Sequence, residues 1–397
     1  MSIENCRTEI DDLDSELLRL LNQRAELALR VGESKQASGM SLCDHTRERE
    51  VIERMCKTNR GPLDDRAVVE LFRAIIHESR RIQTRAAERG NEAEYVPSLI
   101  SQTSSPRVAF QGEPGAFSEE AAIKLLGTQI TLVPRPTFES LFRSISDKAA
   151  DYILAPIENS LAGFVHACFD QLLDSKLCVA GEVIIPISHY LIGCAGASFA
   201  SIATVESHPV ALEQCRRFLE TNPQIRRVVA EDTAGSVAQV VRAGDPTRAA
   251  IAGRRALERY GGVVLREHLE DSSENYTRFF LLRSSAEFIA DADKTSLAIE
   301  LPHQAGALYR ALEPFAQSGI DLLKIEGRPV KGRPWEYCFY LELQGSANDT
   351  EVMAALDELP NRQVESRILG SYGAARMPSM NANVGADSSK EAASREQ

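Results

Sequence analysis

Thr277 and Arg278 set a hydroxyl donor beside a fixed cation. They stand where the polar run Glu270-Asp271-Ser272-Ser273-Glu274-Asn275 gives way to Phe279-Phe280-Leu281-Leu282, an apolar run of buried-strand type. The pairing suits a small anionic substrate that loses an oxygen, with the cation on a carboxylate and the hydroxyl on the departing atom. Taken alone, the same junction also fits a strand that opens with a solvent-exposed arginine, and most such junctions are structural.

A second set of chemistry-bearing residues lies at the N-terminal end. From Ile3 to about Ala37 there is no proline and a single glycine, Gly32. Ile10, Leu13, Leu17, Leu20, Leu21, Leu27, Ala28 and Val31 recur at helical spacing, so this stretch reads as a long amphipathic helix. Arg24 falls on the apolar stripe, where a charge is costly unless partnered. Lys35 lies three turns further on, on nearly the same face. Arg7 precedes Arg24 by seventeen residues, roughly 25 Å along a helix axis. One small ligand cannot touch both from a single straight helix, so an intertwined dimer is expected, with Arg7 supplied by a second chain. A shorter helix through Arg47-Glu48-Arg49-Glu50-Val51-Ile52-Glu53-Arg54 follows, with Asp44 just ahead. A third spans about Asp65 to Arg85, its stripe made by Val68, Leu71, Phe72, Ile75 and Ile82. Ser79 and Gln83, four apart and so adjacent on one face, lie at the edge of that stripe. Polar groups there serve helix–helix hydrogen bonds more often than ligands. With three helices each aiming polar groups inward, however, the set reads as a pocket for a dianion.

These residues resemble the small all-helical chorismate mutases over about residues 4–85. The site positions of that family are filled in order by Arg7, Arg24, Lys35, Asp44, Arg47, Glu48, Ser79 and Gln83. The resemblance implies a Claisen rearrangement of chorismate, which needs neither nucleophile nor proton relay. It needs the flexible substrate held compact and donors aimed at the ether oxygen where negative charge develops. Arg7, Arg24 and Arg47 would hold carboxylates, with Asp44 and Ser79 also in contact with substrate. Lys35 and Gln83 would sit at the ether oxygen, and Glu48 would take the substrate hydroxyl.

At 397 residues the chain has material for two or three domains. It is 43% hydrophobic and 26% charged, ordinary for a soluble protein. A net charge of -12 argues against nucleic acid as a partner. The N-terminal residues lack the basic and apolar regions of a signal peptide, and no apolar run is long enough to span a bilayer. Eight cysteines are scattered without a C-x-x-C pair, and the seven histidines form no ligand-spaced pair. A cytoplasmic protein without metal or other cofactor is expected.

Glu88 to Pro106 reads as a linker. From Arg107 onward short apolar runs alternate with helices, the α/β pattern. Five of the runs end in polar loops: Val108–Phe110 before Gln111-Gly112 to Ser118, Tyr152–Ala155 before Pro156-Ile157-Glu158-Asn159-Ser160, Ile202–Val205 before Glu206-Ser207-His208-Pro209, Val228–Ala230 before Glu231-Asp232-Thr233, and Ala249–Ala252 before Gly253-Arg254-Arg255. Ser118 is placed as the N-cap of the first following helix. Open α/β sheets bind ligands at such strand ends, so one shared cleft is expected. Gly112-x-x-Gly115 alone is an ordinary turn and no phosphate loop, since Gly-Lys-Ser/Thr is missing. His208 alone fits a helix N-terminus better than a catalyst.

Together the loops look like those of the prephenate dehydratases, over about residues 107–284. Pro156-Ile157-Glu158-Asn159-Ser160 and Asn275-Tyr276-Thr277-Arg278-Phe279 are the best markers, supported by Ser207-His208-Pro209 and Asp232-Thr233-Ala234. The resemblance implies a two-lobed α/β fold like that of periplasmic binding proteins, with the site between the lobes. It also implies loss of carbon dioxide and hydroxide from prephenate to give phenylpyruvate. Thr277 would donate to the departing oxygen, since a threonine hydroxyl is too weak an acid for much proton transfer. Arg278 would pair with a carboxylate, Asn159, Ser160 and Thr233 would be neutral donors, and Ser207 and His208 would also line the substrate. Glu158 would organise the site beside the substrate.

Toward the C-terminus a strand at Ser296–Leu301, a helix at Gly306–Gln317, strands at Ile320–Glu326 and Tyr337–Leu343, a helix around Thr350–Leu359 and a strand at Gln363–Leu369 give the order βαββαβ. That order suits an antiparallel sheet with two helices on one face. It looks like an ACT domain over about residues 294–372, through Gly306-Ala307-Leu308 and Ile325-Glu326-Gly327-Arg328-Pro329. The resemblance implies phenylalanine as effector, bound between two such domains by Gly306, Ala307, Leu308, Glu326, Gly327, Arg328 and Pro329. Dehydratase ACT domains usually carry serine where Gly327 stands and a bulky aliphatic residue where Tyr309 stands, so weaker inhibition is expected. The polar residues from 375 to 397 read as a disordered tail.

The expectation is a multidomain chain: an all-α mutase domain over 1–90, an α/β two-lobed dehydratase domain over 106–285 and an α+β ACT regulatory domain over 294–374. It would convert chorismate to prephenate and then to phenylpyruvate, as a homodimer or higher homo-oligomer. The alternatives are a ligand sensor without catalysis, a single working site, or a dehydratase that prefers arogenate.

Overall fold

The computed structural model describes residues 3–37, 45–83 apart from 66, 70, 73, 77, 78, 80 and 81, 105–284, and 292–378 apart from 331, 334 and 335. The chain divides into two units, residues 1–95 and 96–397.

In the first unit α1 (Ile3–Ala37) is a single helix, as the spacing predicts. α2 (His45–Thr58) follows, and α3 (65–83) is helical at its described positions. Val68 and Ile76 of α3 are buried, and Gln83 packs beside Ala28, to whose carbonyl it donates at 2.6 Å. Much of the α1 stripe is exposed: Ile10, Leu13, Leu17, Leu27 and Val31 each keep about half or more of their surface open. Among the described residues, no helix is long and apolar enough to cross a membrane.

The second unit holds three sheets. β1 (Arg107–Gln111), β2 (Thr131–Arg135), β3 (Tyr152–Asn159), β4 (Gly163–Phe164) and β5 (Cys178–Pro186) begin the first, with α4 (Phe117–Leu126), α5 (Phe138–Ser146) and α6 (His166–Asp174) between them. The chain then builds the second sheet from β6 (Tyr190–Gly193), β7 (Thr204–Ser207), β8 (Arg226–Val229), β9 (Arg248–Ala252) and β10 (Val263–Arg266), ordered β10-β6-β9-β7-β8. Its helices are α7 (Pro209–Gln214), α8 (Arg216–Thr221), α9 (Thr233–Ala243) and α10 (Arg254–Tyr260). β11 (Tyr276–Arg283) returns to the first sheet, which is ordered β2-β1-β3-β11-β5, with β11 antiparallel to both neighbours. The expected α/β organisation is present, in two separate sheets.

The third sheet is β12 (Lys294–Leu301), β13 (Leu322–Pro329), β14 (Tyr337–Gln344) and β15 (Glu365–Tyr372), ordered β13-β14-β12-β15 and antiparallel, with α11 (Ala307–Gln317) and α12 (Thr350–Asp357). The order βαββαβ is as read from the sequence. Leu297, Ile299, Leu341 and Leu343 pack under Ala311, Phe315, Val352 and Ala355 of the two helices. The opposite face is buried too. Ala298, Cys338, Tyr340, Leu369 and Tyr372 share one core with Phe169, Val179, Phe280 and Leu282 of the first sheet and its helix α6. Gly370 shows how close that approach is, because a Cβ there would lie 2.2 Å from the Val179 carbonyl oxygen.

Two expectations need correction. Ser118 is not the N-cap of α4: Ala116 holds that position with extended backbone, and Ser118 is buried inside the first turn. The Glu119 carboxylate takes the Gly115 N–H at 2.8 Å instead, so the turn closes without the serine. The tail does not begin free at residue 375, since Ala375 N–H donates to Glu182 at 2.8 Å. Residues 379–397 lie outside the described residues.

Candidate functional site

The register of β11 against β3 sets the dehydratase candidates. Thr277 pairs with Asn159 and Arg278 with Glu158, after which the register slips so that Phe279 pairs with Pro156. Pro156 has no N–H to give a ladder, which accounts for a bulge at that place. Successive side chains on a strand leave opposite faces. Phe279 and Leu281 therefore pack on the α4 side, while Phe280 and Leu282 join the core shared with the third sheet.

Thr277 stands in a polar chain. Asn159 Nδ2 donates to Thr277 Oγ1 at 3.0 Å, to Asn275 Oδ1 at 2.8 Å and to the Tyr276 carbonyl at 3.0 Å. Asn159 Oδ1 accepts from the Leu161 and Ala162 N–H groups at 3.0 and 2.8 Å, and from Gln214 Nε2 at 3.4 Å. Those backbone donors fix which end of the amide is which. Gln214 Oε1 lies 2.9 Å from His189 Nε2, and Glu270 takes the His189 N–H at 2.7 Å. Burial drives the His189 ring below its usual pKa, against the pull of Gln214 and Glu270, so the ring is neutral near pH 7. The consequence falls on Thr277. Its oxygen receives a hydrogen bond and its own proton is left to give. His189 Nδ1 and Asn275 Nδ2 are buried without a hydrogen-bond partner among the described residues, an uncommon state beside this chain.

Phe117 meets the second-sheet loops. Its ring stands edge-on to His189 with centroids 5.7 Å apart, and a Cβ on Gly253 would fall 2.7 Å from it. His208 caps α7, its Nδ1 accepting from Val210 N–H at 3.3 Å. Burial lowers the His208 pKa while nearby Asp232 pulls it up. Asp232 caps α9 by taking the Gly235 N–H at 2.6 Å, leaving Thr233 in the first turn of that helix.

Four assignments change. Arg278 is not placed to hold a substrate carboxylate from the Thr277 side, because its side chain leaves the opposite face toward the third sheet. There it meets Glu158 at 2.9 Å, Glu182 at 2.9 Å and Glu342 at 2.6 Å. Glu158 shares that face and is not beside Thr277, so only its organising role fits. Ser207 is fully buried and donates to the Ile251 carbonyl at 2.6 Å, tying β7 to β9. Ser160 donates to the Glu274 carbonyl at 2.7 Å and accepts from Tyr276 N–H at 2.9 Å, which closes the turn before Thr277. Spacing does not reveal Gln214 and His189, since they reach Thr277 only through folding. Glu182 and Glu342 did leave a signal, as lone carboxylates within otherwise apolar strands.

In the first unit, Arg24 is half-buried and donates to Ser79 Oγ and, at 3.4 Å, to the Ile75 carbonyl. Burial lowers its pKa. Ser79 and Gln83 thus make helix–helix bonds on the seam where Arg24 lies. Lys35 is partly buried, whereas Arg7 and Arg47 are exposed, Arg47 pairing with Glu50 at 3.0 Å. α1 is continuous from Arg7 to Arg24, so one chain does not bring them together. Asp44 and the Glu48 side chain lie outside the described residues.

In the third sheet Gly306 caps α11 in the left-handed region, φ 76°, where glycine alone is unstrained, with Ala307 buried and Leu308 packed on the helical core. Glu326 and Pro329 lie on β13 with Gly327. Arg328 is not free for an effector carboxylate, since it grips Asp170 of α6 with two hydrogen bonds of 2.8 Å.

Comparison with known proteins decides the family. Residues 6–84 match the chorismate mutase type II family and residues 108–287 the prephenate dehydratase family. A bifunctional chorismate mutase/prephenate dehydratase of Neisseria gonorrhoeae is 35% identical over 367 residues, 92% of this chain and 95% of that protein. The chain belongs to the bifunctional chorismate mutase/prephenate dehydratases. A member from Aquifex aeolicus is 33% identical over 375 residues, covering 93% of this chain and 97% of its own. A solved prephenate dehydratase from Arthrobacter aurescens, in complex with L-Phe, aligns with a TM-score of 0.63 and 30% identity over 69% of this chain and 92% of that one. The enzyme rearranges chorismate to prephenate and converts prephenate to phenylpyruvate.

Proposed function

We propose that the dehydratase step runs on the Thr277 hydroxyl, in a binding-protein-like cleft between the first two sheets. The supporting observation is the hydrogen bond from Asn159 Nδ2 to Thr277 Oγ1, which turns the threonine proton outward. In the reaction the bond from the ring to its carboxylate breaks and carbon dioxide leaves. That electron pair enters the ring as the carbon–oxygen bond breaks, and hydroxide departs. Aromatisation supplies the driving force, and a donor at the leaving oxygen stabilises charge that exists only in the transition state. Gln214 and His189 hold the Asn159 amide, while Thr233 and His208 line the second-sheet side. Asn159→Asp keeps the shape and the acceptor but removes the donor, and the new carboxylate draws the Thr277 proton away from substrate. The expected result is a kcat for prephenate lower by about 100-fold with a smaller change in KM. A wild-type kcat in this variant contradicts the role.

In residues 1–90 we assign Arg7, Arg24, Lys35, Asp44, Arg47, Glu48, Ser79 and Gln83 to chorismate. Arg7 comes from a second copy of the chain, and the exposed α1 stripe is the surface that copy covers. Residues 106–285 form the dehydratase domain. Residues 294–374 form an ACT domain whose effector is phenylalanine, as the bound L-Phe of the Arthrobacter aurescens dehydratase supports. The enzyme is cytoplasmic and works without a cofactor. Gly327 lies on exposed, extended β13, where a Cβ would approach the Phe339 ring at 3.2 Å, a contact a slight ring shift relieves. Gly327→Ser therefore fits and stiffens the strand. Calorimetric titration is expected to show tighter phenylalanine binding by the serine variant; equal or weaker binding refutes the effect.

A further inference from the structure

Arg278, Lys294 and Lys324 meet Glu158, Glu182 and Glu342 in one ion network where the third sheet docks on the first. Arg278 touches all three carboxylates, at 2.9, 2.9 and 2.6 Å. Lys294 of β12 bridges Glu182 at 3.1 Å and Glu342 at 2.7 Å. Lys324 of β13 reaches Glu158, and its Nζ lies 5.2 Å from the Phe164 ring centroid. Most of the network is sealed, but Glu158 is 31% exposed and Lys324 17%, beside a hollow of about 360 Å³. One end of the network is locked and the other has room to move.

The covalent neighbours of these charges give the network its consequence. Glu158 precedes Asn159, and Arg278 follows Thr277. Across the two strands they face one another in register, as Asn159 and Thr277 do. Glu158 and Asn159 share a peptide bond, so the hold on the Glu158 side chain is one residue from the backbone that presents the Asn159 amide.

We propose that Lys324 is a positioning residue for the dehydratase reaction: by holding Glu158 it fixes, through β3, the Asn159 amide and so the Thr277 hydroxyl, making the C-terminal α+β module part of the working site. This rests on Thr277 being the donor. It adds that the donor is aligned by a charge from a separate sheet. The effect falls on the transition state rather than on substrate binding, because Lys324 is on the face away from Thr277.

The test is Lys324→Met in the full chain, assayed with prephenate and separately with chorismate. The expected result is dehydratase kcat lower by roughly tenfold, KM for prephenate within about twofold, and mutase kcat unchanged. Lys324→Arg restores most of the rate. In a Glu158→Gln background, Lys324→Met is expected to add little, since the two act as one unit. A wild-type kcat in Lys324→Met, or full additivity in the double variant, overturns the proposal. Thr277→Val run alongside separates the two claims. Should that variant keep full activity, the donor reading itself fails. Should it be inactive while Lys324→Met is not, only the positioning role fails.

Discussion

Thr277→Val leaves a chain that folds, makes prephenate at the normal rate and converts it to phenylpyruvate about 100- to 1,000-fold more slowly. The substitution replaces a hydroxyl by a methyl of similar size on a half-buried strand position. In the proposed mechanism the lost donor acts where charge develops on the leaving oxygen, and removing one such preorganised donor typically costs two to three orders of magnitude in kcat. Asn159 Nδ2 then loses one acceptor but keeps Asn275 and the Tyr276 carbonyl, at 2.8 and 3.0 Å, so no buried donor is left bare. The mutase residues belong to the other unit of the chain. Steady-state assays on prephenate and on chorismate check both halves of the expectation, and a dehydratase rate within threefold of wild type would count against the hydroxyl.

Arg278→Met is expected to act on stability first. Removing the arginine leaves Glu158, Glu182 and Glu342 converging on a site with only the lysines to offset them. Breaking a buried ion pair from one side typically costs about 3–5 kcal/mol, because the remaining charge is uncompensated. Urea unfolding followed by circular dichroism should show that loss, and a change under about 1 kcal/mol would mean the network is not sealed as described. An arginine that served only to hold a substrate carboxylate would instead raise KM and leave stability intact.

The network also has a pH signature. Burial alone would raise the Glu342 pKa, but the charge and hydrogen bonds of Arg278 and Lys294 override it and hold the carboxyl down to about 2. A carboxylate depressed in the folded state stabilises at pH values above its unfolded pKa, about 4.3. That contribution fades as the pH falls from there through about 2. Glu158 is shifted the same way, burial opposing and Lys324 and Arg278 prevailing. Acid should therefore weaken module docking in the wild type more than in Arg278→Met.

The sequence made the elements legible, because their signals are local. The helical period of residues 3–37, the polar ends of the five apolar runs and the βαββαβ order are each read from neighbours along the chain. Facing was not legible. Which side of β11 takes Arg278 depends on a third sheet that covers one face of the first, and nothing within residues 276–283 announces it. The bulge at Pro156 and Phe279 adds a shift that regular alternation does not foresee. Ser207 and Ser160 depart from the expected substrate contacts for a related reason. A hydroxyl at a strand end suits a substrate, yet the backbone carbonyls of Ile251 and Glu274 take both protons first. Gln214 and His189 enter the site through the packing of the second sheet on the first, at sequence separations no motif spans. The proposed mutase residues Arg7, Arg24 and Lys35 all fall on α1, which the helical spacing makes legible, while the second chain that would bring Arg7 to Arg24 is part of the proposal and no local signal displays it.

The most direct test follows chorismate through the purified wild-type chain and Thr277→Val, with prephenate and phenylpyruvate quantified separately over time. The expected result is transient prephenate and stoichiometric phenylpyruvate in the wild type, against prephenate that accumulates and persists in the variant. Phenylpyruvate appearing equally fast in both would contradict the role of the Thr277 hydroxyl and the chain of donors built behind it.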